Sequence, residues 1–498
     1  MVTITEKLDK IKKYIDYGEY FTINRPRQYG KTTTLYLLTQ KLKKDYIIVK
    51  TSFEGIGEVF FQTEENFCKS VLSMFADRIV SDYEDFKQIV CNEDKGLTTF
   101  KELSKAITNI TKNARKKVIL LIDEVDKATN YSLFYHFLGL LRNKYLKQNE
   151  GDDSSFHSVI LAGVHDIKSI KMKIRDNKES EYNSPWNIAV DFKVDMSFSV
   201  NEIYSMLADY ENDNNTGMDI NLMALKLREY TSGYPYLVSK LCYIMDEELE
   251  QSFNENSLEH AMRILLNEKN TLFDDLIKNI NKHDDLFELL KILILDGKSI
   301  TFNSDAHDLG VMYGIVKEDT AHKLRMDNKI FELRIYNYLI ALQELKKGIA
   351  FAYKYQTKFV DDNGDLDLVL ILTKFQQLMK TEYRQVDERF VEREGRLLFL
   401  SFITPIINGI GFYFVEPETR ESNRMDIVVT FNQKKFVIEL KIWRGEKYAQ
   451  EGRMQLCKYL EYQNLEKGYM VIFNFNKNKK YNCFNTVVDN KNIFEITV

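Results

Sequence analysis

Three residues near the C-terminal end carry the sharpest chemical pattern in the chain. Asp426 opens an apolar run, Ile427–Thr430, and a polar turn, Asn432–Lys435, leads into a second run, Phe436–Lys441. Within that second run Glu439 and Lys441 are two apart, so in a strand they share a face while Leu440 points away. Pairing of the two runs as a hairpin would bring Asp426 close to Glu439 and Lys441. Two carboxylates and the Leu440 backbone carbonyl are hard oxygen donors, suited to Mg²⁺ or Mn²⁺. Such an ion stabilises charge on a phosphate and lowers the pKa of a bound water. Lys441 would position that water and neutralise the crowded phosphorus. The spacing also suits a cross-strand ion pair on a solvated face, so on its own it leaves two readings. Nearby, Glu394 sits in the amphipathic segment REGRLLFLSFITPI, and Gln455 and Tyr459 are four apart on one helix face. Lys434, Lys435, Arg444, Lys447, Arg453 and Lys458 give a local basic surface of the kind that phosphate contacts need.

A second constellation lies near the N-terminus. YFTINRPRQYGKTTTLYLLTQKL reads strand, turn, helix, and Gly30-Lys31-Thr32 match the end of the G-x-x-x-x-G-K-[ST] phosphate loop. Backbone N–H groups at the helix start would cradle phosphates, Lys31 would reach the terminal ones, and the Thr32 hydroxyl would ligate Mg²⁺. Arg27 and Thr33 complete the candidate nucleotide contacts. Arg25 stands where the pattern starts with glycine. About ninety residues later, KKVILLIDEVDKA is a buried-strand pattern ending in Asp123-Glu124. Asp123 would hold the ion through water or Thr32, and Glu124 would polarise an attacking water. Alone this acidic pair is also what a solvated strand end looks like; together the two segments point to ATP.

The elements that must position these residues alternate. Short apolar runs at Tyr20–Ile23, Tyr46–Thr51, Lys117–Ile122 and Ser158–Ala162 are separated by helical patterns, which predicts a parallel α/β sheet. Val200 to Asn270 is mostly helical and reads as a lid. Thr271 to Leu345 reads as helices followed by the β-like runs Gly314–Lys317 and His322–Met326 and the helix KIFELRIYNYLIALQ, an order like a winged helix or a plain packing module. A polar break at Asp361–Asp367 precedes a helical stretch to Asn408, and Gly411–Val498 reads as strands around one or two helices. The expected division is 1–265, a P-loop core and lid; 266–350, a helical unit; 351–390, a helical connector; and 391–498, a second α/β domain.

Composition bounds the rest. The chain has 498 residues, 44% hydrophobic and 29% charged, enough for several buried cores. A net charge of -5 excludes a generic polyanion binder and confines any nucleic-acid surface to a patch. Five scattered cysteines without a CxxC pair argue against a disulfide framework or zinc knuckle. The charged N-terminus has no signal-peptide core, and no run is long enough for a transmembrane helix. The expected location is the cytoplasm, without a membrane partner.

RPRQYGKTT, LLIDEVDKA, LAGVHDIK, SPWNIAVDF and TSGYPYLVS together resemble the bacterial AAA-like ATPases, related to STAND ATPases, over residues 10 to 345. In that family RPR-x-[FY]-GK[ST] replaces the glycine-started loop, so Arg25 is in keeping with the resemblance. The resemblance implies a γ-phosphate sensor at the end of the Ser158–Ala162 strand, with His165 or Asp166 as candidates, and a lid helix starting at Pro235 of Gly233-Tyr234-Pro235. A hydrogen-bonded loop histidine and an ordinary helix start explain these two features equally well. Arg25, Arg27 and Arg175 are candidates for an arginine finger in a homo-oligomer formed through the ATPase domain.

The stretch from Glu394 to Asn474 resembles the PD-(D/E)XK nucleases that follow such ATPase domains, with Met425 where proline often precedes the motif aspartate. It implies Glu394 as an additional metal-proximal carboxylate, and the QxxxY pair Gln455 and Tyr459 as in the RecB-like branch. The implied function is metal-dependent cleavage of nucleic acid, DNA in preference to RNA, gated by ATP, in phage defence or mobile-element biology. Two rivals stand beside it: a STAND-like binding or signalling switch whose C-terminal domain does not cut, and an ATP-driven motor on DNA.

Overall fold

The computed structural model describes residues 2, 4–79, 83–93, 97–164, 185–295, 305–319, 321–347, 359–360, 365–382, 392–407, 411–415, 426–432, 434–476 and 479–498. Within these, the side chains of Glu394 and Asp426 are outside the description. The chain forms two compact units, Met1–Cys242 with Asp308–Ile315, and Tyr243–His307 with Val316–Val498.

The first unit runs α1 (Thr5–Asp16), β1 (Phe21–Asn24), α2 (Lys31–Leu42), β2 (Ile47–Ser52), α3 (Glu64–Asp77), α4 (Glu84–Glu93), α5 (Phe100–Asn113), β3 (Val118–Asp123), α6 (Ser132–Glu150) and β4 (Ser158–Gly163). The helices α7 (Val200–Asn214), α8 (Ile220–Thr231) and α9 (Pro235–Tyr243) follow. All four strands lie where the apolar runs predict them. They pair in parallel in the order β1-β4-β3-β2. Parallel strands need helices on both faces, so β3 is apolar on both sides and all six of its residues are buried. Leu120 and Ile122 pack into the cluster formed with α3, α5 and α6, while Ile119 and Leu121 pack against α1 and α2. The chain leaves β1 to reach β2 on one side, whereas Val190, after β4, pairs with Phe21 on the other. The carboxyl ends of β1 and β4 therefore frame the crevice where open α/β sheets bind ligands.

The second unit holds α10 (Glu255–Asn267), α11 (Thr271–Lys282), α12 (Asp284–Leu295), a small antiparallel hairpin of β5 (Val316–Glu318) and β6 (Leu324–Met326), and α14 (Lys329–Lys347); helix α13 (Asp305–Met312) spans the unit boundary. The helices and the hairpin fall where the sequence predicts them. Two helices, α15 (Leu368–Glu382) and α16 (Glu392–Ile407), occupy the predicted helical stretch. The C-terminal part contains β7 (Gly411–Val415), β8 (Asp426–Phe431), β9 (Lys434–Ile442), α17 (Glu446–Tyr462), β10 (Lys467–Phe473), β11 (Cys483–Val488) and β12 (Lys491–Thr497). They form a mixed sheet in the order β11-β12-β10-β9-β8-β7.

Register assigns this sheet two faces. Glu439 is opposite Met470 and Lys441 opposite Ile472, so these four side chains share one face. Helix α17 covers that face: a Cβ on Gly452 would stand 3.1 Å from Lys441 Cε and 3.1 Å from Met470 Cε. The other face carries Phe473, against which Gly395 of α16 and Phe375 of α15 pack. No described helix is long and apolar enough to cross a membrane.

Candidate nucleotide and metal sites

The phosphate loop is built at the carboxyl end of β1. Gly30 caps α2 with φ 77°, a left-handed conformation that glycine adopts without strain. Lys31 folds back over the loop, its Nζ donating to the carbonyls of Arg25 at 2.9 Å and Pro26 at 2.8 Å. Thr32 donates from Oγ1 to Asp123 Oδ2 at 2.8 Å, joining the loop to the end of β3. Lys31 and Asp123 are 7% and 5% exposed, whereas Arg27, Thr32 and Thr33 are exposed. Glu124 follows with φ 51°, and its N–H donates to Asp123 Oδ1 at 2.9 Å. The donor set fits a triphosphate and its cation: a helix N-terminus, an ammonium held in reserve by backbone carbonyls, and a hydroxyl–carboxylate pair.

Burial pushes the Glu124 carboxyl above its ordinary value, with Asp123 adding to the shift and Lys31 opposing it. Burial pulls Lys31 below its usual range, opposed by Asp126, Glu124 and Asp123 in that order. Asp126 is a residue that sequence reasoning missed. It accepts from Val164 N–H at 2.6 Å and fixes the end of β4 beside the site. A Cβ on Gly163 would lie 2.9 Å from Asp126 Oδ2, so glycine permits this approach. The available signal was a third carboxylate three residues after Asp123.

Arg25 is not placed as an arginine finger. Its guanidinium donates to Val194 O at 2.7 Å and Asn24 O at 2.8 Å and sits 5.1 Å from the Phe192 ring centroid, all within its own unit. Arg175 and His165, with Asp166, lie outside the described residues. Pro235 begins α9, as predicted, but the residue that reaches the loop is Tyr234. Its hydroxyl donates to the Arg27 carbonyl, and its ring meets Tyr29 edge-on at 4.7 Å. Gly233 makes this possible, with φ 72° and a phantom Cβ only 2.1 Å from Phe198 O. Gly233→Ala is therefore expected to destabilise the first unit by about 2–4 kcal/mol, through left-handed strain and the clash. Thermal unfolding would show it; an unchanged transition would mean that the turn relaxes freely.

In the second unit Asp426 is directly opposite Glu439 in the β8–β9 hairpin, as the pattern predicted. Glu439 and Lys441 are 1% and 4% exposed, and Lys441 Nζ meets Glu439 Oε1 at 2.8 Å. The pair is thus not a solvated surface bridge. The Tyr448 ring lies 5.8 Å from Lys441 Nζ. A buried carboxylate facing the Asp426 position, next to an ammonium, is a chemically apt start for a divalent-ion site. Among the described residues no three acidic, His or Cys side chains form a complete metal cluster. Leu440 is buried in β9, in register with Val471 of β10. Gln455 is half-buried and Tyr459 buried on α17, one and two turns beyond Gly452. Glu394 immediately precedes Gly395, which lies against Phe473 at the end of β10.

Three predicted phosphate cations are engaged elsewhere. Arg453 forks onto Glu495 at 2.7 and 3.1 Å and reaches Glu446 at 2.8 Å. The Glu495 hydrogen bonds hold its pKa above the ordinary value. Lys434 pairs with Asp365, and Lys435 lies 3.8 Å from Glu259. Spacing showed these cations but could not show Glu495, Asp365 and Glu259, which come from distant segments.

Comparison with known proteins agrees with this picture. A family model described as AAA-like domain matches residues 5–332, and one described as PD-(D/E)XK nuclease superfamily matches residues 409–484. No curated protein matches the chain. Among solved structures, the Walker-type ATPase of Pyrococcus abyssi is 14% identical with TM-score 0.45, covering 67% of this chain and 96% of that one. The ORC1 protein of Aeropyrum pernix, solved in complex with DNA, is 11% identical with TM-score 0.30, covering 69% and 94%. ORC2 of the same organism, solved with ADPNP and ADP, is 11% identical with TM-score 0.34, covering 67% and 93%. The chain belongs to the AAA-like domain family, and its C-terminal part is a PD-(D/E)XK nuclease superfamily domain.

Proposed function

We propose that the chain binds and hydrolyses ATP and that its C-terminal domain hydrolyses phosphodiester bonds in nucleic acid, DNA foremost, under nucleotide control. The observation that carries this reading is the buried Glu439–Lys441 pair at 2.8 Å, with Asp426 in register opposite Glu439. Desolvating two opposite charges is costly, and well-packed apolar residues would serve a sheet as well or better. A charged pair beside a third acidic position is what phosphate chemistry requires. Asp426 and Glu439 would hold Mg²⁺ or Mn²⁺ with the Leu440 carbonyl and Glu394. When bound, such an ion offsets charge on the scissile phosphate and acidifies its water. Lys441 would orient that water, and Gln455 and Tyr459 would align the strand or the site. In the first unit Lys31, Thr32 and Asp123 would bind the phosphates and their cation, with Arg27, Gly30, Thr33, His165 and Pro235 around the nucleotide, and Glu124 would polarise the water. Assembly through the ATPase domain, and a role in defence or mobile-element biology, belong to the same proposal.

Purified protein incubated with plasmid, linear and single-stranded DNA and with RNA, with Mg²⁺ or Mn²⁺ and with or without ATP, tests it. Metal-dependent fragments that change with ATP are expected. Tight nucleotide binding without cleavage of any substrate would instead favour the switch.

Glu124 adds a pH test. To act as a base it must be ionised, and its raised pKa moves the acid limb of ATP hydrolysis above that of an ordinary carboxylate, about 4.3. The rate should fall as pH drops through that raised value, and Glu124→Gln should lose about 10²-fold or more. The stability sign is opposite to the usual carboxylate case. The folded state holds the proton more tightly, so ionising Glu124 costs stability as pH rises through the raised pKa. Glu124→Gln should therefore melt no lower than the native protein at neutral pH. A variant that hydrolyses ATP normally would remove Glu124 from the mechanism.

A further inference from the structure

We propose that Arg453 is a positioning residue for the cleavage reaction: its fork onto Glu495 fixes α17 on the sheet so that Gly452 holds the Lys441 side chain beside Glu439. The proposal rests on the nuclease reading and names a device on which that site depends.

Register puts these residues on one face. Asp426 is opposite Glu439, Glu439 opposite Met470, and Met470 opposite Glu495. One cross-strand row therefore runs from β8 through β9 and β10 to β12, and residues directly opposite one another share a face. Helix α17 lies over that row. Gly452 approaches so closely that a Cβ would be 3.1 Å from Lys441 Cε, 3.2 Å from Lys441 Cγ and 3.1 Å from Met470 Cε. Leu456 and Leu460 lie over Gly468 of β10, whose Cβ would stand 3.1 and 2.8 Å from their Cδ1 atoms. Cys457 Sγ donates to Val488 O of β11 at 3.3 Å. Arg453, next to Gly452, donates from Nε and Nη2 to the two Glu495 oxygens at 2.7 and 3.1 Å.

These contacts differ in what they can specify. Apolar packing is non-directional and tolerates a small slide or roll of the helix. A guanidinium fork on a carboxylate fixes both distance and orientation. Arg453 Nη1 also donates to Glu446 Oε1 at 2.8 Å, in the first turn of α17, so the guanidinium is itself held. Glu495 is buried. An apolar pair in its place would stabilise the sheet as well or better, so what the charges add is a defined seat for the helix. Lys441 feels that seat first, because Gly452 bears on its stem while its Nζ meets Glu439 at 2.8 Å. A displacement of about 1 Å at reacting groups can cost about 10²-fold in rate.

The test compares Arg453→Lys, Arg453→Met and Arg453→Met/Glu495→Gln with the native full chain. Arg453→Met leaves Glu495 buried without its cation and should melt lower. The double variant removes both charges and should recover much of the melting temperature. Cleavage should not recover with it: kcat is expected to stay about tenfold or more below native, with KM within about twofold. A purely structural role would instead return kcat together with the melting temperature. Arg453→Lys keeps the charge without the fork and should show a smaller loss of kcat at near-native melting; it carries the kinetic test if the double variant melts low. Hydrogen exchange in EDTA reads the seat without cleavage. Amides of α17 and β9 should exchange faster in the double variant, while those around the phosphate loop keep native rates. Native kcat in Arg453→Lys and the double variant, or native protection of α17 and β9, would overturn the proposal. A native chain that cuts no nucleic acid in Mg²⁺ or Mn²⁺ would overturn the nuclease reading, and the exchange of α17 would still decide whether the fork seats the helix.

Discussion

Lys441→Met and Glu439→Gln are each expected to reduce metal-dependent cleavage by about 10³-fold or more, the scale on which a lost charge stabiliser or metal ligand acts. Stability must be separated from chemistry, because the two side chains lie 2.8 Å apart in a nearly closed environment. Removing one partner of a buried pair leaves the other charge uncompensated, at a cost of about 3–5 kcal/mol. Both single variants should therefore melt lower as well as cut less. The double variant Glu439→Gln/Lys441→Met removes both charges at similar volume and should recover much of that stability. Its activity should stay absent. A recovered melting temperature with no cleavage locates the chemistry in the pair. Cleavage by the double variant at native rate would assign the cut to other residues.

Lys31→Ala should remove ATP hydrolysis, by about 10²-fold or more, and weaken nucleotide binding, because no other cation is as buried within the loop. The substitution also leaves the Arg25 and Pro26 carbonyls without their donor, so some loss of loop order accompanies it. Thr32→Ala is the companion, since it breaks the 2.8 Å link to Asp123 without touching the ammonium. Fluorescent nucleotide binding and phosphate release read the two steps apart. Nucleotide control predicts that Lys31→Ala changes the ATP dependence of cleavage, while Glu439→Gln/Lys441→Met leaves ATP hydrolysis intact. Cleavage by Lys31→Ala that responds to ATP as the native protein does would break the proposed coupling.

Much of the scaffold was legible because it follows from local periodicity. Four apolar runs separated by helical patterns specify a parallel sheet, since such strands must be apolar on both faces. The two-residue spacing of Glu439 and Lys441 and the hairpin turn before them set the Asp426–Glu439 register. Glycine and threonine after a strand announced the phosphate loop. These are short-range facts, and strand and helix periods encode them directly.

What only the tertiary structure decided is which partners the long-range folds supply. Arg453, Lys434 and Lys435 read as free cations in sequence, yet Glu495, Asp365 and Glu259, each more than forty residues away, engage them. Arg25 looked available to a neighbour and instead serves Val194 and Phe192. Tyr234 reaches the phosphate loop across some two hundred residues of chain, which no spacing argument could show. Sequence by itself determined which residue types were present at strand ends and loops. Whether a charge meets a carboxylate, a carbonyl or solvent depends on chain closure over long separations, and that is decided by packing.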